Sequence, residues 1–186
     1  LFQKQVAYLG HLVSAEGVAP VPDYLNTVRA WPFPTTKSEV RIFLGKAGYY
    51  RRFIKGYSGI AGPLSDVAGK GTPTEEKEPI KATPEMVNAF ETLKDKLLTA
   101  PVLAYPQFHS DEPFILDTDW SQDANAIGGV LSQVQDGKER VIQYGSKKLS
   151  KAQRSYSAIK GELTAFLYFA KHWGYYLRYR PFILRT

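Results

Sequence analysis

Apolar residues at helical spacing dominate the first part of the chain. Thr36 followed by Glu39 is a capping-box pattern, and the apolar residues after it predict a long helix that ends near Gly56. This helix is predicted to bury Phe43, Leu44 and Ala47 and to expose Lys46 and Arg52. Flanking predictions are a strand and turn at 5–13, a turn at Glu16-Gly17, a short helix at 23–31, and a helix from Thr83-Pro84 to Pro101 that buries Met86, Phe90, Leu93 and Leu97.

From residue 113 onward, the spacing of apolar residues is typical of β-strands. Predicted elements are strands at 114–119, 126–134 and 139–146, a turn at Asp136-Gly137, a helix over roughly 157–177 opened by Ser157, and a strand at 180–186. Residues 65–82 are polar and rich in Gly, Pro and Glu, which predicts a linker or exposed loop. The fold class is therefore predicted as α+β or α/β, with a small helical region followed by a sheet domain.

Charge is distributed unevenly along the 186 residues, whose net charge is +6. Residues 1–62 and 113–186 each carry a net +5, while residues 63–112 carry −4. Two basic blocks favour contact with a polyanion such as nucleic acid, although a solvated basic surface explains them equally well. The 12 tyrosines fit either ordinary packing or stacking on bases.

Several classes of protein are excluded by composition. The chain has no Cys, which excludes a disulfide framework, a Cys-containing zinc finger and a thiol nucleophile, and which fits a reducing compartment. No apolar run approaches the roughly 20 residues of a membrane span, so no membrane partner is expected. The three histidines lack zinc-ligand spacing, and neither a phosphate-binding glycine loop nor a nucleophile elbow is present. The chain opens at Leu1 in the middle of a strand-like pattern, which suggests a fragment of a longer protein.

Carboxylates at one strand end and on one helix are the clearest candidates for chemistry. Asp117 and Asp119 end the first strand of the second region, and period-2 alternation places both on one face. Glu162 lies about one turn into the helix that follows, from which it could approach Asp119. Clustered carboxylates are stabilised by divalent cations, which predicts a Mg²⁺ site. The alternative is that Asp119 caps a turn and Glu162 is solvated.

Eight ordered stretches resemble the Pol polyprotein of gypsy-type (Metaviridae) LTR retrotransposons. They are VAYLGHLVSAEGV (6–18), FLGKAGYYRRFIKGYSGIAGPL (43–64), AFETLKDKLLTAPVLAYPQF (89–108), FILDTDWS (114–121), IGGVLSQ (127–133), ERVIQYGSKKLS (139–150), SYSAIKGEL (155–163) and YYLRYRPFILRT (175–186). The resemblance covers nearly the whole chain.

The resemblance implies four segments of a reverse transcriptase joined to ribonuclease H. They are the end of the palm (1–20), the thumb (21–64), a linker and connection (65–112), and the truncated N-terminal part of a ribonuclease H-like domain with strands 1–3, helix A and strand 4 (113–186). It also implies that a primer-grip-like turn and the thumb contact nucleic acid. The implied contact residues are Tyr8, Leu9, Gly10, His11, Lys46, Tyr49, Arg51, Arg52 and Lys55.

The same resemblance assigns two catalytic metal ligands. Asp119 is implied as the first Mg²⁺ ligand and Glu162 as the second, while further ligands of the family would follow Thr186 and the polymerase aspartates would precede Leu1. Trp120 stands where the family usually has a small residue, Gly161 stands beside Glu162 in place of a better helix former, and residues 122–129 are about two residues longer than usual.

The function implied is a fragment of a reverse transcriptase/ribonuclease H that grips RNA/DNA hybrid and contributes part of a Mg²⁺-dependent site. The fragment is expected to be inactive alone and to act with the remainder of the Pol polyprotein, in the cytoplasm or in virus-like particles. The alternative is a non-catalytic nucleic-acid-binding or structural product, such as a domesticated retroelement remnant.

Overall fold

A computed structural model describes residues 3–69 and 77–186 of the chain. The strands are β1 (Gln5–Tyr8), β2 (His11–Ser14), β3 (Gly17–Pro20), β4 (Phe114–Ser121), β5 (Ala126–Gln135), β6 (Lys138–Lys148) and β7 (Phe182–Arg185). The helices are α1 (Pro22–Ala30), α2 (Lys37–Tyr49), α3 (Tyr57–Ile60), α4 (Gly62–Val67), α5 (Pro84–Leu98), α6 (Ala158–His172) and α7 (Gly174–Leu177), with 3₁₀ turns at Arg51–Phe53 and Lys151–Ser155.

The chain begins with an antiparallel meander of three short strands in the order β1-β2-β3. Leu9 and Gly10 form the two-residue turn between β1 and β2, and both have positive φ angles, of 46° and 74°. This backbone matches the twist of a tight hairpin, and Gly10 adopts it without steric cost. The predicted strand and turn at 5–13 are therefore present, with β3 as an additional strand that the sequence pattern did not indicate.

The helical region packs α1 to α5 around one hydrophobic core. The Thr36 hydroxyl accepts a hydrogen bond from the Glu39 amide at 3.2 Å, which confirms the predicted start of α2. The Glu39 carboxylate also accepts a hydrogen bond from the Thr35 amide at 2.7 Å. Phe43 and Ala47 are buried as predicted, Leu44 is partly buried, and Lys46 is exposed.

Two predictions about this region are wrong. Helix α2 ends at Tyr49 and not near Gly56, because the chain tightens into the 3₁₀ turn before Gly56 adopts a left-handed conformation with φ 72°. Residues 65–67 also belong to helix α4 and not to a loop, since Leu64 anchors that helix in the core. Residues 70–76 of the predicted linker lie outside the described residues.

The second region is a four-stranded mixed sheet covered by a helix. The strand order is β6-β5-β4-β7, and all neighbours are antiparallel except β4 and β7, which are parallel. Asp136 and Gly137 form the predicted turn between β5 and β6, both with positive φ. The predicted helix at 157–177 is divided into α6 and α7 at Trp173. This mixed α/β arrangement confirms the predicted fold class.

Each face of the sheet has a different neighbour. Helix α6 lies against one face, where Phe169 sits above Gly129 and Gly145; a side chain at either glycine would lie within 2.7 Å of the Phe169 ring. The helical region covers part of the other face, since Val141 and Tyr144 of β6 pack against its core. The sheet is therefore held between α6 and the helical region. Within the described residues, no helix has both the length and the apolar composition needed to cross a lipid bilayer.

Candidate functional site

The β1–β2 turn is fixed to the C-terminal end of α2 by two adjacent tyrosines. The hydroxyl of Tyr49 donates a hydrogen bond to the carbonyl oxygen of Leu9, and that of Tyr50 donates to the carbonyl oxygen of Gly10. The His11 ring closes the contact, with its centroid 5.3 Å from that of Tyr49 and 5.4 Å from that of Tyr50. The turn and the helix end thus form one unit, although they are 40 residues apart in sequence.

This arrangement leaves an aromatic and basic surface exposed. The side chains of Tyr8 and Leu9 are 65% and 72% exposed, and that of Tyr49 is 52% exposed. Beside them, a groove of about 520 Å³ runs along the outer face of α2; it is lined by Tyr24, Arg41, Ile42, Gly45, Lys46, Tyr49 and Tyr50. The structure therefore brings together six of the predicted contact residues: Tyr8, Leu9, Gly10, His11, Lys46 and Tyr49.

Arg41 and Tyr50 are among the groove residues that were not predicted as contacts. Arg41 donates hydrogen bonds to the carbonyl oxygens of Ala68 and Gly69, at 2.8 and 2.5 Å, and lies over the groove from this anchored position. Tyr50 is 3% exposed, and burial, followed by the neighbouring Tyr49, raises the pKa of its phenol. The Tyr49-Tyr50 pair could have indicated this role for Tyr50. Adjacent residues at a helix end point in different directions, so one tyrosine can be buried while the other is exposed.

The other basic residues predicted to contact nucleic acid, Arg51, Arg52 and Lys55, do not line the groove on α2. Arg51 donates to the carbonyl oxygen of Ser146 in β6 at 2.7 Å and to the hydroxyl of Ser58 at 3.2 Å, so it joins the helical region to the sheet. Arg52 is half-buried, which contradicts its predicted exposure, because it lies in a cleft between the 3₁₀ turn, β6 and α6. Lys55 is exposed and lines a cavity of about 120 Å³ together with Asp117 and Asp119.

Asp119 and Glu162 lie on elements that pack against each other. Trp120 lies against Gly161 of α6, since a Cβ atom at 161 would be 2.3 Å from its ring. Asp119, at the end of β4, is exposed and lines a cavity together with Lys55. Within the described ranges, His, Asp and Glu side chains form no cluster of three or more that could hold a metal ion.

Asp117 has a partner that Asp119 lacks. Arg185 of β7 donates from Nη2 to Asp117 at 2.8 Å and from Nη2 to Glu139 at 2.6 Å, so it spans the sheet from β7 to β6. Hydrogen bonds from Arg185, and then from Ser132, hold the pKa of Glu139 below its usual range. The charge of Asp117 is therefore already compensated, whereas Asp119 forms no ion pair with any described residue.

The donor chemistry of Asp119 and Glu162 matches that of a magnesium ligand set. Both supply hard carboxylate oxygens, which Mg²⁺ prefers. Oε2 of Glu162 is buried without a hydrogen-bond donor in the described part of the chain, which leaves one acceptor for a cation or a proton. The two residues fit a loosely held ion that keeps most of its waters.

Comparisons with known proteins agree on one kind of relative. The family model described as "RNase H-like domain found in reverse transcriptase" matches residues 83–184. The retrovirus-related Pol polyprotein from transposon 297 of Drosophila melanogaster is 35% identical over 184 residues, which cover 99% of this chain and 16% of that protein. The transposon Tf2-3 polyprotein of Schizosaccharomyces pombe (strain 972) is 35% identical over 187 residues, which cover 99% and 13%. The chain spans about a sixth of the length of these curated relatives or less.

Solved structures with the same fold were also found. The foamy viral protease-reverse transcriptase dRH in complex with double-stranded DNA matches with a TM-score of 0.78 at 20% identity, over 99% of this chain and 31% of that one. The foamy viral protease-reverse transcriptase in complex with RNA/DNA hybrid matches with a TM-score of 0.78 at 19% identity, over 99% and 24%. At this identity the match establishes the fold.

Proposed function

Since the chain belongs to the family of RNase H-like domains found in reverse transcriptases, we propose that it is the part of a gypsy-type retroelement reverse transcriptase that grips a nucleic-acid duplex. In this proposal the β1–β2 turn is the primer grip, α1 to α4 form the thumb, α5 leads through the connection, and the four-stranded sheet begins the ribonuclease H domain. The related Pol polyproteins and the foamy viral complexes with double-stranded DNA and RNA/DNA hybrid support it.

The observation that carries this proposal is the fixed contact between the turn and α2. Two tyrosine hydroxyls hold the backbone of Leu9 and Gly10, so the exposed side chains of Tyr8 and Leu9 keep a constant position relative to Lys46. Aromatic rings stack on bases or sugars, and a lysine neutralises phosphate, so one rigid surface offers both kinds of contact. A turn free to move would lose this geometry.

A salt titration with a matched control tests the grip. Lys46→Ala removes a charge from the groove, while Lys96→Ala removes one from the exposed surface of α5. Fluorescence anisotropy with a labelled RNA/DNA hybrid should show that the slope of log affinity against log salt falls by about 0.9 for a lost phosphate contact. We expect this change for Lys46→Ala only. Equal slopes for the two variants and the wild type would reject Lys46 as a contact.

The catalytic part of the proposal concerns Asp119 and Glu162. We propose that they are two of the ligands of a Mg²⁺-dependent ribonuclease H site that a longer Pol chain completes. A bound Mg²⁺ would supply the positive charge that stabilises the leaving oxygen of a phosphodiester. The protein's own part is to present the two carboxylates, Asp119 at the exposed end of β4 and Glu162 in the first turns of α6.

Asparagine substitutions in a longer chain test this assignment. In a protein extended to the length of its relatives, Asp119→Asn should reduce Mg²⁺-dependent cleavage of a hybrid by at least about 100-fold, since a ligand is lost. Asp117→Asn is the matched control, because Arg185 already compensates that charge. Calorimetric titration with MgCl₂ gives a second readout, in which only the Asp119 variant should bind the ion more weakly. Equal cleavage by both variants would remove Asp119 from the site.

The alternative function is a non-catalytic nucleic-acid-binding or structural product. The observation that favours it is that His, Asp and Glu side chains form no group of three or more potential metal ligands within the described residues. Binding and cleavage of hybrid by the extended protein distinguish the two proposals. A product that grips hybrid but cleaves none in Mg²⁺, with Asp119 intact, would support the alternative.

A further inference from the structure

The cleft between the thumb and the sheet has the composition of an anion site. It has a volume of about 210 Å³ and is lined by Arg51, Arg52, residues 143–146 of β6, and Tyr168, Phe169 and His172 of α6. None of these lining residues is acidic, while two are arginines and one is a histidine. Positive charge without an acidic partner in a partly enclosed cleft attracts a compact anion.

The arginines of this cleft are held in different ways. Arg51 is anchored on the Ser146 carbonyl oxygen at 2.7 Å, with its guanidinium carbon 5.3 Å from the centroid of the Tyr57 ring. Arg52 has a buried Nε–H with no acceptor in the described part of the chain. A buried donor of a charged group normally has a partner, so Arg52 retains unused hydrogen-bonding capacity beside the cleft.

The opposite wall is built from the C-terminal half of α6. The rings of Tyr168 and His172 are stacked, with their centroids 5.7 Å apart and their planes at 10°. Lys147 adds a further cation at the rim, with Nζ 4.4 Å from the centroid of the Tyr168 ring. His172 is the group in this wall that can gain a proton near neutral pH, and Arg51 is the cation that opposes it.

We propose that this cleft binds a phosphoryl group, which the thumb holds through Arg52 and the sheet domain through His172. Phosphate matches the guanidinium geometry, and the cleft has room for one or two phosphoryl groups but not for a complete nucleotide. The bound anion would join the two regions across the cleft. The site is separate from the groove on α2, and it extends the proposed function because one source of the phosphoryl group is a nucleic-acid strand.

The phosphoryl group has two sources, which separate probes distinguish. Inorganic pyrophosphate represents a free anion, and a labelled RNA/DNA hybrid represents a strand backbone. The chain's three histidines allow His172 to be followed by NMR as a local reporter of occupancy. A bound phosphoryl group stabilises the imidazolium, so the pKa of His172 should rise by at least about half a unit when the site is filled.

The variants are Arg52→Gln and, as a matched control, Arg29→Gln on the exposed end of α1. If the ligand is free phosphate, pyrophosphate shifts His172, and Arg52→Gln weakens its binding at least about tenfold. If the ligand is a strand, only the hybrid shifts His172, and Arg52→Gln reduces the salt slope by about 0.9. Either result supports the site when Arg29→Gln matches the wild type.

Failure of this inference and failure of the proposed function have different signatures. If neither pyrophosphate nor hybrid shifts the His172 resonances of the wild-type protein, the cleft does not bind a phosphoryl group. This measurement uses the wild-type protein alone, so it does not depend on whether any variant folds. Binding of hybrid that depends on Lys46 would then still stand. An effect of Arg29→Gln equal to that of Arg52→Gln would also overturn the proposal, because it would reveal general charge attraction only.

Discussion

Single hydroxyl groups decide whether the hairpin turn stays on helix α2. Tyr50→Phe removes the donor to the Gly10 carbonyl and should lower the free energy of unfolding by about 0.5–1.5 kcal/mol. Tyr49→Phe should cost less, since Tyr49 is 52% exposed and water can replace its hydrogen bond to Leu9. Urea denaturation of the two variants measures both values. A larger loss for Tyr49→Phe would show that the outer tyrosine, not the buried one, holds the turn.

His172 makes the stability of the fold depend on pH. Burial, and then the nearby Arg51, lower the pKa of His172 below its usual 6.5. The unfolded chain therefore binds the proton more readily than the folded protein, so stability rises with pH through this window and falls as the pH drops below about 6.5. Thermal unfolding between pH 5 and 8 should show a shallower pH dependence for His172→Gln. His109→Gln, at an exposed position, should follow the wild type.

At the level of elements, two residues that depart from the family pattern contact each other: Trp120 of β4 and Gly161 of α6. The resemblance implies a small residue where Trp120 stands and a better helix former where Gly161 stands. In the structure they touch, because the Trp120 ring occupies the place where a Cβ atom at 161 would lie, 2.3 Å away. The sequence showed both residues but not their contact, since strand β4 and helix α6 meet only in the folded protein.

A double-mutant cycle tests this pairing. Gly161→Ala should destabilise the wild type by about 1–3 kcal/mol through overpacking, although alanine favours helices. In the Trp120→Ala background the same change should be neutral or stabilising by about 0.5–1 kcal/mol, because the helix propensity then acts alone. Chemical denaturation of the four proteins gives the coupling energy. Equal effects of Gly161→Ala in both backgrounds would mean that the ring moves aside.

Helix α2 shows what local sequence determines. Its start at Thr36 and its buried face were predictable, because capping and apolar spacing are local signals. Phe43→Ala should therefore cost about 3–5 kcal/mol, since Phe43 is 1% exposed and packs against Phe90 with ring centroids 4.6 Å apart. Ile42→Ala, at a position 53% exposed, should change stability by no more than about 0.5 kcal/mol. Equal losses in a denaturant titration would contradict this assignment of faces.

The end of α2 was not predictable for a tertiary reason. The apolar spacing continues to Ile54, so the pattern favours a longer helix, but Tyr50 and Phe53 turn instead to pack around His11 of the hairpin. This packing around His11 is incompatible with a continued helix, and it determines where α2 ends. Arg51 and Arg52 follow the end of the helix, so their positions depend on where it ends. For this reason Arg51 bonds to Ser146 and Arg52 lies in the cleft beside β6, and neither lines the groove on α2.

At the scale of the whole molecule, the succession of three strands, a helix and a strand along the second region could be inferred from the sequence and the resemblance. The contact that joins the helical region to the sheet could not. The joint depends on Arg51 and Ser146, which are 95 residues apart, and on Ser58, whose amide donates to the Ser146 hydroxyl at 2.8 Å. No local pattern marks an arginine as a bridge and not as a phosphate contact. A basic residue in a binding motif therefore has two interpretations until its partners are known.

Arg51→Ala separates these two interpretations. If Arg51 is a bridge, its loss should leave the salt slope of hybrid binding almost unchanged but loosen the joint, because the Ser146 carbonyl loses a charged donor worth about 1.5–3 kcal/mol. Hydrogen exchange measured by mass spectrometry should then accelerate in α3 and in the half of β6 around Ser146, while α5 keeps its protection. Arg29→Ala is the control and should change neither region. A lower salt slope with unchanged exchange would instead make Arg51 a direct phosphate contact, as the sequence alone predicted.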